Sequence, residues 1–136
     1  MVAHTRKAII NAMVTQIDTV AGLTVSDVTL DHTKAADGTF PIVRVERGST
    51  DYNNYITVTQ EAVLTIKVKL MAKAVTTDDQ MDDYEQAIIA AINTDSTLGG
   101  TCISCFVMNS DPPDFNEANN YKYTILRFAA TYWKDT

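Results

Sequence analysis

The sequence predicts an α+β fold, in which a mainly antiparallel sheet of about five strands, two of them long, is packed with two helices. Residues 61–73 alternate apolar and polar side chains, which is typical of a half-buried strand. Directly after them, apolar residues recur at helical spacing between Met81 and Ile92. Residues 121–133 form a second long alternating run. With 136 residues, 46% of them hydrophobic, the chain 1–136 is long enough for a single domain with one core.

The expected order of elements is α-β-β-β-α-β-β, beginning with a helix over about Thr5–Ala21. Thr5 is a candidate N-cap for this helix, and Gly22 is a candidate C-terminal stop. Its apolar face consists of Ala8, Ile9, Ala12, Met13, Ile17 and Val20. Strands over Val25–Leu30 and Phe40–Arg47 follow, and the connection between them is rich in turn residues.

A long polar segment, Gly48–Gln60, is predicted as a loop. At its centre two tyrosines flank an asparagine pair: Tyr52, Asn53, Asn54 and Tyr55. Loops of this length in compact domains are usually functional or disordered, and tyrosine offers a large contact area with few torsions to freeze. A partner surface is one interpretation. A hairpin in which 55–58 pairs as a strand is the other, and the sequence leaves both open.

In the second half of the chain, the predicted helix starts with cap candidates at Thr76–Asp79. A turn over Asn93–Thr101 and a strand over Cys102–Asn109 follow. The segment 110–120 is predicted as a second long, exposed connection, because two adjacent prolines exclude regular strand pairing there.

The final predicted strand is apolar or aromatic on both faces. Leu126, Phe128 and Ala130 lie on one face, and Tyr123, Ile125, Arg127 and Trp133 lie on the other. Two helices can cover only one face of a sheet. We therefore expect another copy of the chain to cover the second face, so that the protein forms an oligomer.

The residue chemistry offers no catalytic, metal or cofactor site. Cys102 and Cys105 form a CxxC pair, but residues three apart in a predicted strand point to opposite faces, and the two histidines lack zinc-ligand spacing. Buried thiols are the better interpretation. The acidic residues that open the second helix lack the glycine and alternating ligands of a calcium loop, and their charge suits a helix N-terminus. We therefore expect a protein that is not an enzyme and needs no cofactor.

Three lysines, Lys67, Lys69 and Lys73, form a positive strip on one side of the long strand. A solvated sheet surface is the default interpretation. In an oligomer of net-negative subunits, the strip could meet the acidic helix start of a neighbour and fix its register.

The overall charge and the absence of long apolar runs disfavour several classes of function. A net charge of −6 and a pI near 4.7 disfavour sequence-independent nucleic-acid binding and anionic membrane surfaces. No apolar run approaches the roughly 20 residues of a membrane helix, and the opening residues lack a signal-peptide core. A cytosolic product without structural disulfides is expected.

Five sequence segments, taken in order, resemble the tail terminator proteins of long-tailed bacteriophages, also called minor tail protein U-like or tail completion proteins. They are RKAIINAMVTQI, FPIVRVERG, AVLTIKVKLMAK, the acid-capped DDQMDDYEQAIIAAI and the closing YKYTILRFAATYW. The resemblance spans nearly the whole chain. It rests on the order of the segments, because each segment alone is unspecific.

This resemblance implies a structural virion protein of the tail or neck, made in the cytoplasm of the bacterial host. Six copies would form a ring on the head-proximal end of the tail tube, end tube polymerisation and offer a surface for head–tail joining. The implied partners are further copies of the chain, the tail tube protein and a head–tail connector or stopper protein. DNA could pass through the ring, without sequence-specific recognition and without a membrane.

The interface candidates combine this implication with the residue patterns. They are Tyr52, Asn53, Asn54, Tyr55, Lys67, Lys69, Lys73, Asp111, Asp114, Phe115, Tyr123, Arg127 and Trp133. The tyrosine-rich four are placed against the tube or a neighbour, and Asp111, Asp114 and Phe115 at another contact. Two alternatives remain open: another neck protein, such as a head-completion or stopper protein, and a small α+β ligand-binding module.

Overall fold

A computed structural model describes residues 4–20, 24–27, 41–56, 59–118 and 120–135, with the side chains of 24–27, 53–56, 59 and 135 left aside. The elements are α1 (Arg6–Ile17), β1 (Thr24–Asp27), β2 (Ile42–Ile56), β3 (Thr59–Lys73), α2 (Asp78–Thr94), β4 (Ser104–Ser110), β5 (Asp114–Asn116) and β6 (Tyr121–Asp135). The predicted α+β class and the broad order of elements are confirmed. The short strand β5 is an addition to the prediction.

The six strands form one sheet, and the two helices pack against it. The strand order is β1-β2-β3-β6-β4, with β5 beside β6, and every pair except β1–β2 is antiparallel. The long strands β2, β3 and β6 have 15 residues each, which corresponds to roughly 50 Å at about 3.3 Å per residue. They form the centre of the sheet.

Strand β6 is the common partner that closes the sheet. One of its edges pairs with β3 without interruption, from Thr59↔Asp135 to Lys73↔Tyr121. Three separate segments fill the other edge: β4, β5 and, beside Trp133, the backbone of His4, whose N–H donates to the Trp133 carbonyl at 3.0 Å. The outer edge of the sheet is therefore built from short pieces.

Both helices pack on one face of the sheet. The core between helices and sheet contains Ile9, Met13 and Ile17 of α1, Met81, Ile88 and Ile92 of α2, and Leu64, Ile66, Val68, Leu70, Leu126, Phe128, Ala130 and Tyr132 of the strands. These strand residues occupy alternate positions, as the period of two predicts. Burying each large apolar side chain contributes about 1.5–3 kcal/mol.

Local sequence explains where the helices begin. The Thr5 side chain accepts a hydrogen bond from the Ala8 N–H at 3.1 Å, which confirms the predicted N-cap of α1. At α2, Thr77 and Gln80 form a reciprocal capping box. Helix α1 ends at Ile17, earlier than predicted, and the predicted stop Gly22 lies outside the described residues.

Of the two interpretations of Gly48–Gln60, the free loop is wrong and the hairpin is correct. Strand β2 continues to Ile56 and β3 begins at Thr59, so the two strands form a long hairpin whose residues 57–58 lie outside the description. The ladder shifts register between Arg47 and Thr50. A side chain on Gly48 would place its Cβ 2.7 Å from the Thr65 carbonyl oxygen, so glycine permits this close approach of the two strands.

Two further predictions need adjustment. The predicted strand over Val25–Leu30 is observed as β1, and it pairs parallel to β2; residues 28–40 between the two strands lie outside the description. The connection predicted over 110–120 contains β5, but the two prolines do separate β5 from β4, as expected.

Candidate interaction surfaces

The sheet face opposite the helices, here called the open face, carries the other set of alternate strand positions. Its members include Val63, Thr65, Lys67 and Lys69 of β3, Tyr123, Ile125, Arg127, Ala129 and Trp133 of β6, and Phe106 of β4. Most of these side chains are only half-buried, although Ile42, Met71 and Tyr121 form a small buried cluster at one end of the same face. The buried residues of both helices belong to the core on the other side. The structure thus shows the two-sided final strand that the sequence predicts.

A row of charged and polar side chains crosses the open face. Glu46 lies opposite Lys67, which lies opposite Arg127, and Arg127 lies opposite Asn109. The Arg127 guanidinium donates to the Asp111 carboxylate at 2.8 and 3.2 Å. This bond holds the pKa of Asp111 below its usual value, with a further contribution from the charge of Lys67. The row is therefore largely neutralised within the subunit.

One lysine of the strip, Lys69, contacts other side chains of the same subunit. Lys69 Nζ lies 4.7 Å from the ring centroid of Tyr123 and 5.5 Å from that of Tyr121, and it donates to the Tyr121 hydroxyl at 3.3 Å. The two rings meet edge to face at 6.0 Å. Lys73 is exposed at the end of β3. Of the three predicted lysines, Lys69 thus has direct partners inside the subunit, whereas Lys67 and Lys73 are exposed.

The outer edge of the sheet exposes apolar side chains that the sequence analysis missed. We call Ile103, Phe106, Met108 and Phe115 the edge patch. Phe106 is 54% exposed and Met108 48% exposed. Among the described residues β4 pairs only with β6, so β4 is an edge strand of the described sheet. Alternation alone could not identify the patch, because a register shift between Val107 and Asn109 disturbs the pattern of β4.

The segment after β4 brings several predicted candidates together. Asp111, Asp114 and Tyr123 line an open cleft of about 290 Å³ with the two prolines. The Tyr123 hydroxyl donates to Asp114 at 3.3 Å, and desolvation, together with the Asp114 charge, raises the pKa of Tyr123. Phe115 is exposed beside them, whereas Trp133 lies at the far end of β6. The structure therefore groups the candidates of the 110–116 segment with Tyr123 and Arg127.

Of the tyrosine-rich four, Tyr52 is described in full. It is 46% exposed on the β2–β3 hairpin, and Lys134 Nζ lies 5.6 Å from its ring centroid. Asn53, Asn54 and Tyr55 continue β2, and their side chains lie outside the description. These residues therefore belong to a paired strand instead of a free loop.

A second cleft, which we call the basic cleft, has a volume of about 300 Å³ and opens beside the start of α1. It is lined by His4, Thr5, Arg6, Lys7, Arg47, Tyr132 and Lys134. Arg6, Lys7, Arg47 and Lys134 are four of the 11 lysines and arginines in the chain. Sequence inspection missed this cluster, because its members come from three distant segments and no local run of basic residues marks it.

The cysteine pair is structural. Both thiols are free and buried in the same core, so the expectation that they point to opposite faces is wrong, because Cys102 precedes β4. Burial raises the pKa of Cys102 to about 11 and that of Cys105 to about 12. Such thiols remain protonated and unreactive at neutral pH.

The acidic start of α2 divides into solvated and buried groups. Asp79, Asp82 and Asp83 are exposed, and Asp78 forms an ion pair with Lys122. Glu85 is buried, and the Thr124 hydroxyl donates to it at 3.2 Å. Over the residues with assigned positions, His, Cys, Asp and Glu nowhere gather in a group of three or more that could hold a metal ion.

Neither α1 nor α2 combines the length and the apolar character needed to span a membrane.

Comparison with known proteins shows which solved structures have a similar fold. No protein-family model matches the chain, and no curated protein sequence matches it. Among solved structures, the chain is similar to a protein in the virion of a native gene transfer agent particle, with a TM-score of 0.56 and 15% identity over 93% of this chain and 96% of that one. It is equally similar, with a TM-score of 0.56 and 11% identity, to the sheath/tube terminator of the extracellular contractile injection system PVC in its extended state. The chain shares its fold with a tube terminator.

The likeness to the terminator covers all of this chain but only 58% of the terminator, so the chain spans little more than half the length of that relative. The fold implied by the sequence resemblance is thereby confirmed. At these identities the comparison concerns the fold, and function has to be argued from the surfaces.

Proposed function

We propose that this protein is a structural component of a phage-like virion that ends a tail tube. Copies of the chain close into a ring of six on the head-proximal end of the tube, stop its polymerisation and offer the attachment surface for neck proteins. The observation that carries the proposal is the likeness over nearly the whole chain to a virion protein and to a sheath/tube terminator. The role is structural, without catalysis.

The open face supports assembly. It holds half-buried apolar side chains that the helices of the same subunit leave uncovered, and the edge patch adds exposed apolar groups at its border. Apolar patches rimmed by polar residues are typical of protein interfaces. In a closed ring each subunit uses two different surfaces, one toward each neighbour. The tube and the neck protein then require further surfaces.

The predicted contact residues fit such a division. In the proposal, the hairpin around Tyr52 faces the tube or a neighbouring copy, and the group of Asp111, Asp114 and Phe115 lies at a second contact. The ion pair of Arg127 with Asp111 and the hydrogen bond of Tyr123 to Asp114 hold this second group in place. Its side chains are therefore arranged before any partner arrives, which lowers the entropic cost of binding.

Tube assembly in vitro tests the proposal. The tail tube protein encoded with this chain is polymerised with and without it, and tube lengths are measured by electron microscopy. We expect shorter tubes with ring-shaped density at one end, and a mass of six copies per capped end. Unchanged tube lengths with bare ends would contradict the proposal. Density at the head vertex of particles, with tubes of normal length, would instead favour another neck protein.

A hairpin variant gives the matched comparison. Tyr52→Ala should fold normally, because nearly half of the Tyr52 surface is exposed, and it should reduce tube capping by ~10-fold if the hairpin contacts the tube or a neighbour. Ser49→Ala, at an exposed position earlier on β2, is the control and should cap like the original chain. Equal capping by all three proteins would remove the hairpin from the interface.

A further inference from the structure

The basic cleft concentrates positive charge on an acidic molecule. Its four lysines and arginines lie on α1, β2 and β6, beside the α1 N-terminus, where the helix dipole adds further positive potential. Among the described residues, the ion pairs of 4.0 Å or less are Arg44–Glu46, Lys122–Asp78 and Arg127–Asp111, and none of them involves the cleft. The cleft thus lacks an anionic partner in the described part of its own subunit.

The start of α2 is its counterpart in charge. Asp79, Asp82 and Asp83 have the spacing i, i+3 and i+4, which places them on one side of the helix, and all three are exposed. None of them belongs to the three ion pairs recorded for the described residues. We call these three carboxylates the acidic turn.

The two charged surfaces lie toward opposite ends of the long strands. Lys134 of the cleft is at the level of Gln60 on β3, and Lys122, which pairs with the first residue of α2, is at the level of Ala72. The 12 residues between these levels correspond to about 40 Å. The acidic turn therefore cannot reach the basic cleft of its own subunit, but it can reach that of another copy.

We propose that the acidic turn of one copy docks into the basic cleft of the next, and that this contact joins the subunits head to tail. The inference rests on the proposed ring and names its subunit contact. Two different patches of opposite charge on one molecule make a heterologous interface, which closes into a ring when the rotation between copies permits.

This assignment revises the role expected of the lysine strip. Lys67 lies between Glu46 and Arg127 in the charged row, and Lys69 is held against two tyrosine rings. In the cleft, Lys134 lies 5.6 Å from the Tyr52 ring centroid and Arg6 donates to the Thr50 hydroxyl at 3.4 Å, but none of the four cations has a carboxylate partner among the described residues. The cleft is therefore the stronger attractor for the carboxylates of a neighbour.

Charge reversal in two matched variants tests the contact. The cleft variant carries Lys7→Glu, Arg47→Glu and Lys134→Glu, which changes the net charge of the cleft from +4 to −2, and the turn variant carries Asp82→Lys and Asp83→Lys; all five residues are exposed, so both variants should fold. Each variant alone should self-associate at least ~10-fold more weakly than the original chain, by sedimentation or native mass spectrometry, free and on tail tubes. Lys73→Glu, in the lysine strip, is the control and should assemble normally.

Mixing gives the decisive measurement. The cleft variant is negative at both surfaces and the turn variant is positive at both, so an equimolar mixture should form rings in which the two alternate, which six positions allow. A carbodiimide cross-link between α2 carboxylates and Lys134, seen between isotopically light and heavy copies, should accompany ring formation. Raising the salt from about 50 mM to about 500 mM should weaken both the cross-link and the ring.

Three outcomes would overturn the inference. They are normal assembly by either variant, failure of the mixture to assemble, and loss of assembly in Lys73→Glu. Binding of a DNA oligonucleotide that the cleft variant loses, with self-association unchanged, would overturn it in favour of a phosphate site. If the variants still cap tubes, the proposed function stands without this contact; if the original chain leaves tubes bare, the function fails whatever the cross-links show.

Discussion

At the level of single residues, Glu85 on α2 combines a carboxylate with almost complete burial. It is 8% exposed, and its described partner is the Thr124 hydroxyl, which also donates to the Asp111 carbonyl at the shorter distance of 2.7 Å. One hydroxyl hydrogen serves two acceptors, so an ionised Glu85 is incompletely satisfied. Burial, as the largest cause, and the nearby charge of Asp82 raise the pKa of Glu85 above its usual value.

We expect Glu85→Gln to increase the free energy of unfolding at neutral pH by about 0.5–1.5 kcal/mol. Because the folded-state pKa is raised, ionisation costs more in the folded than in the unfolded protein, and stability present at acid pH is lost as the pH rises through the folded pKa. The gain of the variant should therefore vanish as the pH falls below about 4.5, the usual carboxyl value. Denaturant unfolding between acid and neutral pH measures this.

The exposed Glu117 provides the control for Glu85. Glu117→Gln should leave the unfolding free energy within about 0.5 kcal/mol of the original at each pH. A pH-independent difference between Glu85→Gln and the original chain would show that the effect comes from packing and not from ionisation.

At the level of elements, the two helices are joined by one amide side chain. Gln16 Nε2 of α1 lies within 2.9–3.1 Å of the carbonyl oxygens of Ala91, Ile92 and Asp95 at the end of α2. The last carbonyls of a helix lack partners within the helix. Those of Ile92 and Asp95 also accept from the N–H groups of Asp95 and Leu98, so the amide is most important for the Ala91 carbonyl. It fixes the end of α2 against α1 and thus helps to place both helices over the sheet.

Gln16→Ala should lower the free energy of unfolding by about 1–3 kcal/mol, because it removes a donor from three carbonyls and leaves that of Ala91 without another donor among the described residues. Gln16→Glu should be at least as destabilising, since it places a negative charge beside helix carbonyls. Gln86→Ala, at an exposed position of α2, should change stability by less than about 0.5 kcal/mol. A Gln16→Ala protein that unfolds at the original denaturant midpoint would refute this role.

The elements that the sequence predicted correctly are those with a regular apolar period and local caps. Strand β3, helix α2 and strand β6 lie within two residues of the predicted limits, because alternation or helical spacing and the Thr77 cap mark them. The sequence left the β2–β3 hairpin open beside a free loop, because the polar residues of Gly48–Gln60 show no alternation that would decide between the two. The parallel pairing of β1 depends on contacts between distant segments that carry no local pattern.

At the scale of the whole molecule, the sequence predicted that both faces of the final strand carry apolar side chains. It did not predict which apolar side chains are exposed. Phe106 is half-exposed at the border of the open face. We expect Phe106→Ser to leave the isolated subunit about as stable as before, within roughly 0.5 kcal/mol, and to reduce formation of capped tubes by ~10-fold or more. Thermal unfolding and tube-length distributions provide the two readouts.

Val75 is the matched control for Phe106, since it is 86% exposed at a turn away from β4. Val75→Ser should cap tubes normally. If both substitutions weaken capping equally, assembly follows general surface hydrophobicity and the edge patch has no special role; if Phe106→Ser caps normally, the patch is not an interface.

The position of β6 in the sheet also affects how fast the chain folds. Strand β6 follows every other strand in the sequence, yet it sits between β3 and β4 in the sheet. During synthesis, β2 and β3 can therefore pair early as a hairpin, whereas β3 and β4 cannot be joined in the sheet until β6 has been made. Closing the sheet requires contacts over long sequence separations, which slow folding and lengthen the period in which aggregation competes with it.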